Sequence, residues 1–239
     1  MTPDLSQYTF SAPNERVTCF TEIIRAHTPQ IHGPFSIVDI GCGTGQQTLQ
    51  LSKIFPSAKI QAYDISPQNI KQACDLIDGK SESARVHFIC ADYLLSYPQR
   101  AAIIVSDSCL HLIPCEDAIL YTKLKNDLAP NGLVILTIPY DCFYNQIIFL
   151  LRRFFKKIHS NTLEHIVLLF ARLFFWDKYN VDFFRERLPY LYFLPIRLDN
   201  ARFRAAIRAH GLNVIHEQTE NCVLGKPRQH LLVLNHGYE

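Results

Sequence analysis

A chain of 239 residues, 48% of them hydrophobic, is long enough to bury one sizeable core and fits one domain, or one domain with an insertion, and its net charge of +2 hides an uneven distribution. No stretch reaches the length of uncharged apolar residues that a membrane span needs, and the polar, proline-broken start lacks the pattern of a signal peptide. The eight cysteines show no paired metal-binding or disulfide spacing, so reduced thiols, a cytoplasmic location and no metal are expected.

Residues 1–13 read as an extended arm, and Asn14 to about His27 as a helix with Val17, Phe20, Ile23 and Ile24 on one face; together they make an N-terminal arm and helix over 1–30. Strand and helix signals then alternate. Strand 36–40 runs into Gly41, Gly43 and Gly45 and a helix over 46–55; strand 58–63 ends at Asp64 and a helix starts at Pro67. Strand 85–90 precedes Ala91-Asp92-Tyr93, and strand 101–105 precedes Ser106-Asp107-Ser108. A helix from about Cys115 to Leu128 stops at Ala129-Pro130-Asn131-Gly132, and strand 133–138 follows. This is the pattern of an α/β, Rossmann-like doubly wound sheet with five parallel strands. After a helix over 200–210, the last two strands, 212–219 and 229–235, form a C-terminal antiparallel hairpin, giving seven strands in one domain.

Residues 141–198 break the alternation and form a mostly helical insertion after strand five. Residues 141–208 hold 12 Lys/Arg against 6 Asp/Glu, so the positive charge is concentrated there. Phe143, Ile147, Leu150, Leu151, Phe154 and Ile158 recur at helical spacing, with Arg152, Arg153, Lys156 and Lys157 over much of the opposite side. A second apolar segment, Ile166 to Trp176, has Arg172 as its one charged residue. Four readings stay open for it: helices packed over the sheet with solvated basic faces, an aromatic lid over an apolar or acidic substrate, a surface for anionic lipid, and a homodimer contact.

The glycine turn is the chemical centre. A strand, a turn stripped of side chains and a helix N-terminus let a ligand lie against bare backbone. Asp39, two residues before Gly41, would repel a pyrophosphate and suits an ammonium group, while Asp64, 19 residues after Gly45, is placed to accept hydrogen bonds from both hydroxyls of a ribose.

These residues resemble the class I S-adenosylmethionine-dependent methyltransferases of the small-molecule type. The likeness covers 36–140 and is carried by Val-Asp-Ile-Gly-Cys-Gly-Thr-Gly (38–45), Ala-Tyr-Asp-Ile-Ser (62–66), Cys-Ala-Asp-Tyr (90–93), Val-Ser-Asp-Ser-Cys-Leu-His-Leu-Ile (105–113) and Leu-Ala-Pro-Asn-Gly-Leu (128–133). In the last, Asn131 stands where the family has glycine, a substitution that a left-handed backbone tolerates. The resemblance implies S-adenosyl-L-methionine as cofactor. Gly41, Cys42 and Gly43 would wrap its methionine part beside Asp39. Asp64 would hold the ribose, Ile65 would pack on the adenine, Asp92 would accept from the adenine amino group with Tyr93 beside it, and Ser106 would close the site. His111 is the candidate general base and Tyr140 a second residue facing substrate.

The acceptor is narrowed by what is missing. The end of strand four lacks the Asn/Asp-Pro-Pro-aromatic motif of nucleobase N-methylation and the carboxylate pair of metal-dependent catechol enzymes, and no stacking platform accompanies the arginines. An O or N atom of a small, partly apolar metabolite is expected as acceptor, with the 141–198 insertion over the substrate; the alternatives are a tRNA or rRNA methyltransferase using the basic insertion and a lipid-associated methyltransferase at a membrane surface.

Overall fold

The computed structural model describes residues 5–12, 14–28, 33–157, 165–166, 168–169, 188, 192–220 and 228–236. Seven strands form one sheet: β1 (Phe35–Ile40), β2 (Ala58–Asp64), β3 (Val86–Cys90), β4 (Ala101–Asp107), β5 (Leu128–Pro139), β6 (Leu212–Glu220) and β7 (Gln229–His236). Their order is β3-β2-β1-β4-β5-β7-β6, which reverses direction between β1 and β4. The first five strands pair in parallel, as expected. β7 runs antiparallel to both β5 and β6, so the terminal hairpin slots its second strand inward and leaves its first at the sheet edge. A ligand crevice forms where parallel strands diverge, outside their carboxyl ends, and here that point lies between β1 and β4.

Helices cover both faces. On one, α1 (Asn14–His27) and α2 (Gln46–Ile54) pack Phe20, Ile24, Leu49 and Leu51 against Ile37, Ile103 and Ile135; α3 (Pro67–Ile77) adds Ile77. On the other, α4 (Asp117–Asp127) and α6 (Ala201–Ala209) bring Leu120, Leu124, Phe203 and Ile207 onto Val38, Ile104 and Val134. The strand residues alternate between the two clusters because side chains on a strand point to opposite faces in turn. Short polar caps fix the helix starts: Ser66 Oγ accepts from Asn69 N and Asn200 Oδ1 from Phe203 N. Asn131 has φ 60, the left-handed conformation its place in the turn requires.

The first helix of the insertion, α5 (Phe143–Lys157), turns its faces the other way from a lid packed by its apolar stripe. Asn145, Phe149 and Arg152 face the protein, whereas Phe143, Ile147, Leu150, Leu151 and Phe154 face outward. The reason is polar: Asn145 is fully buried, its Nδ2 donating to the carbonyls of Tyr140 and Arg228 and its Oδ1 accepting from Arg228 N. Those bonds favour this rotation of the helix, because a buried amide needs its partners. The segment Ile166 to Trp176 lies for the most part outside the described residues. No helix among the described residues is long and apolar enough to cross a membrane.

Gly45 shows how tightly the turn is packed. It has φ +85, and an added Cβ would stand 2.8 Å from the Phe88 ring and 2.9 Å from Ala73 Cβ. Left-handed strain and overpacking add, so Gly45→Ala is expected to destabilise the fold by about 3 kcal/mol, read as a lowered midpoint in urea unfolding.

Candidate active site

The glycine turn sits at the carboxyl end of the central strand β1. Gly41 and Gly43 have φ +77 and +54, and a Cβ on either would come within 2.4 Å of Cys109 Sγ or Phe10 O respectively. Two constraints, a left-handed backbone and the close approach of the turn after β4 and of the N-terminal arm, thus demand glycine at both. The amides of Gly41 and Cys42 donate to the carbonyl of Tyr63 at 2.8 and 3.0 Å, and Gly43 N donates to Asp64 Oδ2 at 2.9 Å. Asp64 Oδ1 accepts from Ser66 N (2.9 Å) and Asn69 Nδ2 (3.1 Å). One half-buried carboxylate therefore joins the glycine turn to the start of α3 and keeps part of its surface open.

Asp39 is only 2% exposed and accepts one hydrogen bond, from Thr48 Oγ1 at 2.6 Å. Burial, with the neighbouring charges of Asp107 and Asp64, pushes its pKa up to about 7 despite that bond. The two thiols beside the turn report the same field. Burial raises Cys109 to about 12, and Cys42 well above its ordinary value, with Asp39 and Asp64 adding to both. Carboxylates set the field at the turn, and of them Asp107 is paired with Arg16 of α1.

The other expected cofactor residues separate into exposed ones and those built into the core. Ile65 is 41% exposed at the tip of β2, and the exposed Asp92 caps the short turn Tyr93–Leu95 by accepting from Leu94 N at 2.9 Å. Tyr93 points the other way. It is buried, donates its hydroxyl to Asp127 at 2.7 Å, lies under the Lys123 ammonium and packs edge-on against Tyr63. Its phenol is committed to the fold, with burial and Asp127 holding its pKa up. Ser106 is also fully buried and stitches β4 to β1 by donating to the carbonyl of Ile40.

His111 lies in the turn after β4, 7% exposed, with its Nδ1 buried and unbonded among the described residues. Its carbonyl accepts from the amides of Ile196 and Arg197, which ties the end of the insertion to this turn. Burial, then the positive charges of Arg152, Arg16 and Arg197, lower its pKa to about 3 against a smaller pull from Asp107. The ring is neutral at physiological pH and too weak a base to take up a proton there. Tyr140 stands at the end of β5, stacked on His230 with ring centroids 4.1 Å apart, and His230 Nδ1 contacts Asp199 at 2.6 Å. Asp199, Glu217 and His230 bring potential ligand atoms within 4.8 Å, but Arg204 already grips both Asp199 oxygens at 2.7 Å and reaches Glu217 at 2.8 Å.

Three features were absent from the sequence reading. Arg16 of α1 pairs with half-buried Asp107, its Nε 2.7 Å from Oδ2, and the same guanidinium reaches Ser108, Thr137 and Gln229. That pairing holds the pKa of Asp107 below its ordinary range against the desolvation that would raise it. Arg197 is buried, pairs with Asp117 at 2.7 Å and donates to the carbonyls of Leu110, Ile113 and Cys115, fastening the loop that carries His111. Above the glycine turn, Phe10 and Tyr8 from the arm meet the Phe193 ring at 5.7 and 5.3 Å, while Phe10 O accepts from Thr44 N. Arg152 reaches the Phe193 carbonyl at 3.2 Å. Arm and insertion thus form an aromatic roof over the turn. The Ser-Asp-Ser run after β4 was the one local signal for the Arg16 network.

Comparison with known proteins agrees with this geometry. A family model described as a methyltransferase domain matches residues 37–132. The trans-aconitate 2-methyltransferase of Streptomyces coelicolor is 31% identical over 138 residues, 57% of this chain and 45% of that protein. The trans-aconitate 2-methyltransferase of Methylobacterium radiotolerans is 29% identical over 127 residues, 53% of this chain and 45% of its own. The chain therefore spans under half the length of these curated relatives. Among solved structures, a 1,6-didemethyltoxoflavin-N1-methyltransferase of Burkholderia thailandensis, with S-adenosylhomocysteine bound, superposes with a TM-score of 0.61 at 13% identity, covering 93% of this chain and 78% of that one. The N-methyltransferase NodS of Bradyrhizobium japonicum, also with S-adenosylhomocysteine, gives 0.58 at 14%, over 93% and 86%. At such identities these two show a shared fold.

Proposed function

We propose that this chain, a member of the class I S-adenosylmethionine-dependent methyltransferases, moves a methyl group from S-adenosyl-L-methionine to an O or N atom of a small molecule. The observation that carries the reading is the buried Asp39 beside the glycine turn, with Thr48 Oγ1 as its hydrogen-bond donor and a pKa raised to about 7, a carboxyl that a neighbouring cation would ionise. A dinucleotide would add negative charge there; an amino acid's ammonium and a sulfonium supply positive charge. The residues present fit the cofactor. The turn at 41–43, held by its amides to Tyr63 O and Asp64 Oδ2, would lie along the methionine part, the half-buried Asp64 would take the ribose, and the exposed Ile65 and Asp92 would border the adenine. When bound, the cofactor supplies an electrophilic methyl on a cationic sulfur, and the transfer leaves neutral S-adenosyl-L-homocysteine.

What the protein adds is alignment, exclusion of water and a chosen acceptor charge state. Tyr8, Phe10 and Phe193 roof the turn and keep water out. A His111 with a pKa of about 3 takes no proton from a hydroxyl at neutral pH, so the acceptor arrives already nucleophilic. A carboxylate oxygen meets that condition, since it is ionised at neutral pH without help from a base. This choice agrees with relatives named for a carboxylate, trans-aconitate. Tyr140, held flat on His230, then borders the acceptor.

Incubation with labelled cofactor and fractionated cell extract, with the labelled product identified by mass, tests this directly. Label is expected in a small acidic compound as a methyl ester. Label in tRNA or rRNA would overturn the small-molecule reading. With that acceptor in hand, His111→Gln is expected to leave the pH profile of kcat between 6 and 9 unchanged, because no group that titrates in this range has been removed.

A further inference from the structure

We propose that the outward face of α5 docks on an anionic bilayer surface. Phe143, Ile147, Leu150, Leu151 and Phe154 lie on one side of this helix and are 78%, 42%, 66%, 46% and 57% exposed. A helix normally buries such a stripe and exposes its amides. Here the opposite holds, and Asn145 is the residue with no exposure. The three hydrogen bonds of Asn145 to the segments around Tyr140 and Arg228 favour that rotation, so the apolar face is a stable feature of the surface. Ile166 and Leu169, further along the insertion, are 46% and 56% exposed as well.

The charge around the stripe identifies the occupant. At helical spacing, exposed Arg153 and Lys157 border the apolar face, and α5 has no Asp or Glu. Residues 141–208 hold 12 of the chain's 24 Lys/Arg. A second copy of this chain would bring the same basic residues against themselves across the contact. An anionic lipid surface instead takes the bulky side chains at the headgroup boundary and the cations at the phosphates. The helix is too short to cross the bilayer and has the length and composition to lie in its interface. The proposal is independent of the acceptor's identity.

Sedimentation of the full chain with vesicles tests it. The protein is expected to partition onto phosphatidylcholine vesicles containing phosphatidylglycerol and to leave phosphatidylcholine alone, with binding weakened by salt. Leu150→Glu with Phe154→Glu is expected to lower partition at least tenfold, and Arg153→Gln with Lys157→Gln by about fivefold for each charge removed. All four changes lie on the outer side of the helix, so the thermal shift produced by S-adenosylmethionine is expected to persist and report an intact fold. Absence of vesicle binding, equal binding to both vesicle types, or a dimer in sedimentation equilibrium that Phe154→Glu disperses without any vesicle binding would each overturn the proposal.

Discussion

Asp39→Asn is expected to make the protein more stable at pH 8 and poorer at binding S-adenosylmethionine. The sign follows from the direction of the shift. The folded pKa, about 7, lies above the ordinary 3.8, so the folded protein retains a proton that the unfolded chain has lost over the intervening range. Stability therefore falls as pH rises from about 4 to 7, and an ionised Asp39 is a net cost above that. A shift of this size corresponds to a ceiling on the order of 4 kcal/mol. Asparagine keeps an oxygen for the Thr48 hydroxyl and carries no charge, so the gain should be largest at pH 8 and vanish near pH 4. For a domain of this length a rise of roughly 5 °C in melting temperature is expected at pH 8.

Binding of a cation moves the other way. It favours the ionised carboxylate, so affinity of the unaltered protein should improve with pH up to about 7 and then level. The asparagine variant should lose roughly 10- to 100-fold in affinity at pH 8 and show no such dependence. Thermal melts and titration calorimetry from pH 5 to 8 read both effects. A variant that is less stable at pH 8, or that binds as tightly as the parent, would remove Asp39 from the binding site. A gain in stability coupled to a loss of affinity is what a residue kept for its ligand produces.

The parts of this arrangement that were legible beforehand are those set by local rules. The β1 strand, the glycines and α2 follow one another within twenty residues, and each is specified by its own period or by the need for positive φ. Asp64 and Ser66 fall where a strand must stop and a helix must be capped. The placement of β7 between β5 and β6 was not legible, because a hairpin pattern specifies the pairing of its two strands and not which of them faces the sheet. The Arg16–Asp107 pair joins residues 91 apart in the chain, and nothing near either announces the other. For α5 the stripe was visible but its direction was not: one buried Asn145, outside the stripe, decided it. Tyr93 illustrates the same limit. Its neighbour Asp92 is exposed, while Tyr93 turns into the core and donates to Asp127.

The largest loss of cofactor affinity is expected from Asp64→Asn. In the free protein this carboxylate accepts from Gly43 N, Ser66 N and Asn69 Nδ2, so an amide in its place sets a donor against at least one donor. That should cost about 1–3 kcal/mol of stability without any ligand. If Asp64 also holds the two ribose hydroxyls, two hydrogen bonds to a charged acceptor are lost as well, at about 1.5–3 kcal/mol each, and affinity falls 100-fold or more. The two roles separate in one measurement. At a ligand concentration about 100 times the parent Kd, binding stabilises the parent by about 2.7 kcal/mol, and a 100-fold weaker variant by only about 0.4 kcal/mol. The melting temperature of the free variant should drop and its ligand-induced shift should nearly vanish. Asp92→Asn, which would lose at most a single contact if Asp92 meets the adenine, should retain most of the shift. Were Asp64 only the start of a helix, the free protein would be destabilised while the full ligand-induced shift survived.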